Sequence, residues 1–177
     1  CTFAATARRR VGAALEEHGI GAMRGAIEAL LDVEDADVAL VAFCGWFPDD
    51  RQHRWVRDLG AEILHFTAPD RVPLMTRWIW DARSGTGMLR EIWHGDGVEA
   101  VADDLAAHVA LRAELAGYLK GRGVWHAVPL TIDLLCAQVY AAYIQAQGSA
   151  FLRADFSGDD DPGCYLCRML GIDAPKR

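Results

Sequence analysis

Two stretches decide the fold: Val38-Ala39-Leu40-Val41-Ala42-Phe43 and Ala61-Glu62-Ile63-Leu64-His65-Phe66. The first is an unbroken apolar run that follows the acidic turn Glu34-Asp35-Ala36-Asp37. A short apolar run with β-branched residues, bounded by turn signals, reads as a strand buried on both faces, as in parallel sheets. Between the stretches, Pro48-Asp49-Asp50 supplies a helix start. Trp55, Val56 and Leu59 then form an apolar stripe, and Gly60 reads as the stop. Strand, helix and strand over 38–66 predict a βαβ unit, with a crossover just long enough to return in the right-handed sense.

Working outward, Arg77-Trp78-Ile79-Trp80-Asp81 and Met88-Leu89-Arg90-Glu91-Ile92-Trp93 flank Ser84-Gly85-Thr86-Gly87. Aromatic and β-branched arms around a glycine turn predict a hairpin, and hence a mixed sheet. Upstream, Thr6 caps a helix from Ala7 to His18 that Gly19 ends, and Met23, Ile27, Leu30 and Leu31 mark a second helix to Asp32. The glycines at 19, 21 and 25 resemble a phosphate loop, but they follow a helix where such a loop should follow a strand, so they read as a helix junction. Downstream, Val98 to Lys120 and Thr131 to Arg153 read as long helices separated by Gly121, Gly123 and Pro129. The expected fold is therefore α/β or α+β: one domain over 1–177, with N-terminal helices to residue 32. A small mixed sheet within 38–93 is packed by those helices and by the two long helices of 98–153. A loop and CxxC tail over 157–177 complete the chain.

The composition suits a chain with a buried core: 52% of the 177 residues are hydrophobic and 24% charged. Eighteen Lys and Arg against 25 Asp and Glu leave a formal charge of −7, with no basic footprint for nucleic acid. Leu134 to Leu152 carries no charge, but Gln138, Gln145, Gln147, Gly148 and Ser149 interrupt it, so it reads as a core helix and no membrane contact is expected. Five cysteines are too few and too odd in number for a disulfide framework, which points to a cytoplasmic protein.

Cys44 and His65 would each end a parallel strand, where open α/β sheets place catalytic groups. A thiolate beside an imidazole is a nucleophile pair or half a metal site, with Asp49 and Asp50 available as acid or base. The plainer reading is a packed cysteine and a histidine hydrogen-bonded to backbone. On the helix of 98–120, Arg112 falls within the apolar face of Val98, Val101, Leu105, Val109, Leu115 and Leu119, with His108 beside it. A guanidinium there needs an acceptor, either Asp133 or an anionic ligand. Asp104 and His108, four residues apart, also have a metal-chelating spacing, a common coincidence on helices.

Cys164-Tyr165-Leu166-Cys167 is a single CxxC that suits zinc, an iron–sulfur cluster or a redox pair, but it lacks two further ligands in sequence. Cys136 shares a helix face with Ile132, Leu135, Val139, Tyr140 and Tyr143 and reads as core. Six tryptophans are more than one small sheet can bury, so some should meet a ligand or another chain, Trp93 among them. Two functions are consistent with these residues. One is an intracellular hydrolase or group-transfer enzyme acting on a small anionic substrate, with Cys44, His65, Asp49 and Asp50 as catalytic groups and His108, Arg112 and Trp93 binding substrate. The other is a non-catalytic subunit of an oligomer or hetero-complex that binds a partner protein, with structural zinc or an iron–sulfur site at Cys164 and Cys167.

Overall fold

The computed structural model describes residues 5–81, 85–89 and 104–151. Among these residues the protein is helical, with no β-strand, so the expected α/β or α+β sheet is corrected. The helices are α1 (Ala5–His18), α2 (Ile20–Asp32), α3 (Ala36–Cys44), α4 (Trp55–Thr67), α5 (Asp104–Gly121) and α6 (Val128–Phe151). The chain divides into two compact units, Cys1–Thr76 and Arg77–Arg177.

Both expected parallel strands are helix. At Val38–Phe43 the deciding residue is Asp35, whose side chain accepts from the amides of Asp37 and Val38 at 2.9 and 3.1 Å and so starts α3. An all-apolar run has no period to distinguish strand from helix, and the cap settles it. Ala61–Phe66 is the second half of α4, because Gly60 lies inside that helix and does not end it. A Cβ on Gly60 would stand 2.7 Å from Leu40 Cδ1 and 2.9 Å from Phe43 Cδ1. The missing side chain is what lets α3 and α4 approach.

Of the expected hairpin, the described residues show a turn and no strand. Asp81 and Thr86 form one antiparallel bridge, with N–H···O distances of 2.8 and 3.3 Å. Gly85 and Gly87 carry the positive φ that the turn requires. The arms then fold back, with the amides of Met88 and Leu89 donating to Trp78 O and Ile79 O. A Cβ on Gly87 would lie 2.5 Å from Ile79 O, so this approach also depends on glycine. The second arm beyond Leu89 and the segment 98–103 lie outside the described residues.

In the first unit, α2 packs on α3, α3 on α4, and α1 on both α2 and α4. The core joins Met23, Ala26 and Leu30 of α2 with Leu40 and Phe43 of α3 and Trp55, Val56, Leu59 and Leu64 of α4. Burial of each large side chain contributes about 1.5–3 kcal/mol. Phe47 closes one end, with its ring 5.3 Å from His18 and 5.9 Å from both Phe43 and Trp55. The segment Val72–Thr76 is buried throughout, although it has no regular structure.

In the second unit α5 and α6 pack together as a helical hairpin. Ala107, Leu111 and Leu119 face inward from α5, and Ile132, Cys136, Ala137 and Ala141 from α6. This inward face of α5 is rotated from the expected one, since Val109 is exposed. Gly123, at φ 83°, turns the chain out of α5.

Candidate functional site

With the sheet gone, no strand ends bring Cys44 and His65 together. Cys44 closes α3 and is half-buried, between Phe43 and Phe47, at the end of the α3–α4 pair marked by Trp55. His65 sits ten residues after Trp55 in the last turn of α4, about 15 Å along the helix axis. Its Nδ1 is 2.8 Å from Val72 O, and since a carbonyl only accepts, Nδ1 carries the proton in this contact. Asp49 is exposed. Asp50 is exposed too, and its Oδ1 accepts from the amides of Gln52 and His53 and lies 2.9 Å from the His53 ring nitrogen Nδ1. The hydrogen bond from the His53 ring, ahead of the backbone donors, holds the Asp50 carboxyl below its ordinary value of 3.8, against a smaller opposing effect of desolvation.

In the second unit His108 and Asp133 are buried and Arg112 is half-buried. Arg112 is therefore at the edge of the apolar face, where its stem can pack while its head stays near water. Burial first, and the Asp133 carboxylate second, push the Cys136 thiol up to about 12. Cys136 is thus the packed cysteine that its helix face suggested. Trp93, Cys164 and Cys167 lie outside the described residues.

Among the described residues no group of three or more His, Cys, Asp or Glu is placed to hold a metal ion. For these residues the expectation of metal binding, zinc included, is corrected, since Cys44 and His65 lie toward opposite ends of the α3–α4 pair; Cys164 and Cys167, where zinc or an iron–sulfur site is expected, lie outside the described residues. Among the same residues no helix is long and apolar enough to cross a membrane.

Two features escaped the reading of the sequence. Asp58, Glu62 and His65 share one side of α4 at i, i+4 and i+7, and all three are buried. That pattern is visible in the sequence only once 61–66 is taken as helix. The second feature is the outward side of α3 together with the turn that follows it, where Val38, Val41, Ala42, Gly45 and Trp46 are all exposed, Val41 by 73% and Trp46 by 55%. A helix apolar on every side is normally enclosed on every side, yet only Ala39, Leu40 and Phe43 are covered here. The carboxylates of Glu34, Asp35 and Asp37 lie at the N-terminal end of this face. Comparison with protein-family models, curated proteins and solved structures returns no match.

Proposed function

We propose that this chain is a non-catalytic, cytoplasmic subunit of a larger complex, and that its first unit docks an amphipathic helix of a partner protein on the outward face of α3. The observation that supports the reading is the row Val38, Val41 and Ala42, left exposed on α3, and its continuation by exposed Gly45 and Trp46 in the turn that follows. Contiguous exposed apolar surface of this kind is unusual on a free monomer. Nine residues give α3 a length of about 13.5 Å, enough for two to three turns of a second helix. Ala42 and Gly45 let that helix come close, and Trp46 supplies an anchor of the type that dominates binding energy. Glu34, Asp35 and Asp37 favour a partner with Lys or Arg at the end that meets them. An enzymatic role for Cys44 and His65 draws less support, because the two lie toward opposite ends of the α3–α4 pair.

A photo-cross-linking residue at position 38 in the full chain tests this. The reading expects one adduct, joined through an amphipathic partner helix with basic residues at one end, and lost in both Val41→Asp and Trp46→Ala. Adducts scattered over unrelated surfaces, or formed only between copies of this chain, would overturn it. So would a hydrolytic or transfer activity abolished by Cys44→Ser.

A further inference from the structure

We propose that the turn between α5 and α6 is a separate docking surface for an acidic segment of a partner protein carrying one apolar anchor residue, with Arg122 receiving a carboxylate and Trp125 covering the anchor. The surface lies in the second unit and does not depend on the α3 reading. Trp125 is 66% exposed and Tyr118 55%, and Leu130 opens the neighbouring turn of α6 to solvent. The Arg122 guanidinium stacks on Tyr118, with its carbon 5.4 Å from the ring centroid. Stacking holds the fork in place and leaves its edge open to a bidentate carboxylate. Trp, Tyr and Arg are the three residue types most enriched among those that carry binding energy, and here all three stand exposed between the last turn of α5 and the start of α6.

Charge selects the partner. In an acidic chain, no Asp or Glu occurs between Glu114 and Asp133, while Lys120, Arg122 and His126 all fall in that interval and are exposed. The first turn of α6 carries no acidic residue, so its N-terminal amides add positive potential at the same place. Two fixed cations fall short of the four to eight basic residues typical of anionic-lipid recognition. They are also few for a phosphate backbone, whose binding grows with the number of charges neutralised. One fork and one indole fit a carboxylate beside an apolar side chain.

The test uses the full chain with ¹⁵N label and, as probe, a synthetic peptide of aspartates around one phenylalanine. The Trp125 indole resonance is assigned by its loss in Trp125→Phe. The proposal expects a saturable shift of that resonance that weakens with salt, no shift with the peptide bearing asparagines for aspartates, and affinity about tenfold lower in Arg122→Glu. Arg122→Lys should fall between the two, since it keeps the charge and loses the fork. These positions are exposed, and unchanged melting temperatures confirm that the variants remain folded. An unmoved indole, equal binding of the asparagine peptide, or a shift produced by phosphatidylserine vesicles or single-stranded DNA but not by the acidic peptide would overturn the proposal.

Discussion

Helices α3 and α4 pack against each other and break the usual division of residues in opposite directions. α3 leaves Val38, Val41 and Ala42 in solvent, whereas α4 buries Asp58, Glu62 and His65. The difference shows that a side chain's place here follows from the position of its helix in the unit. α4 lies against both α1 and α3, and Val72 sits over its last turn, so even its polar side is enclosed. α3 keeps one side outward whatever residues that side carries. A buried polar group is costly unless it is partnered, as His65 is by Val72 O, while an exposed apolar group costs little until another surface arrives.

The largest effect should come from opposing two residues of α3. Phe43→Ala removes a ring that is 1% exposed and packed over Gly60, and should cost about 3–5 kcal/mol in denaturant unfolding. Val41→Asp, two residues away on the outward side, should change stability by no more than about 0.5 kcal/mol. A large loss in the second variant would mean that the outward face is already covered within the folded chain, and the contrast between the two helices would fail.

That contrast also explains what could be read from the sequence. The approximate extents of α1, α2, α5 and α6 were legible, where described, from their apolar runs and flanking glycines. But Thr6, expected as a cap, lies inside α1, Pro129, expected between the long helices, lies inside α6, and the inward face of α5 is not the expected one. Val38–Phe43 was not legible, because its outward side is as apolar as its inward side and the helical period vanishes. Gly60 misled for a related reason: in sequence a glycine after an apolar stripe marks a helix end, whereas here it makes room for Leu40 and Phe43. Read as strands, those two elements put Cys44 and His65 together and hide the face that Asp58 and Glu62 share. The fold decided the site, and the error in one carried into the other.

A smaller effect is expected on α4. His65→Leu leaves the carbonyl of Val72 without its ring donor and should cost about 1–3 kcal/mol. His65→Asn, whose amide nitrogen can reach the position of Nδ1, should recover part of that loss. Equal destabilisation by both variants, measured in the same denaturant titration, would show that ring volume matters more than the hydrogen bond.

The second unit sharpens the comparison, because there a buried carboxylate acts on a thiol. Cys136 is held up to about 12, by burial first and by Asp133 second. Its folded value lies above the ordinary 9.0, so the stability linked to it is complete below pH 9 and is lost as pH rises through 9 toward 12. At pH 8, iodoacetamide should therefore label the half-buried Cys44 well before Cys136, as resolved by peptide mass mapping. Asp133→Asn should speed labelling of Cys136 only modestly, since burial is the larger cause. Rapid labelling of Cys136 in the unaltered protein would contradict its place in the core.

The smallest effect belongs to the connection between the two contrasted helices, where a carboxylate is exposed and its charge is held by local donors. Asp50 accepts from the His53 ring and from the amides of Gln52 and His53, which lower its titration below 3.8. A depressed carboxylate contributes its stability above the unfolded value, so this contribution is present above pH 3.8 and disappears as pH falls through the lowered value. Carbon-detected NMR of the Asp50 carboxyl should place its midpoint below the ordinary value of 3.8. His53→Ala should move Asp50 up toward the ordinary value while leaving thermal unfolding at pH 7 nearly unchanged, because water screens and solvates an exposed pair. If His53→Ala instead destabilises the first unit as strongly as His65→Leu, the loop would be as tightly enclosed as α4. The division between an outward α3 side and an enclosed α4 would then have to be drawn further along the chain, beyond His53.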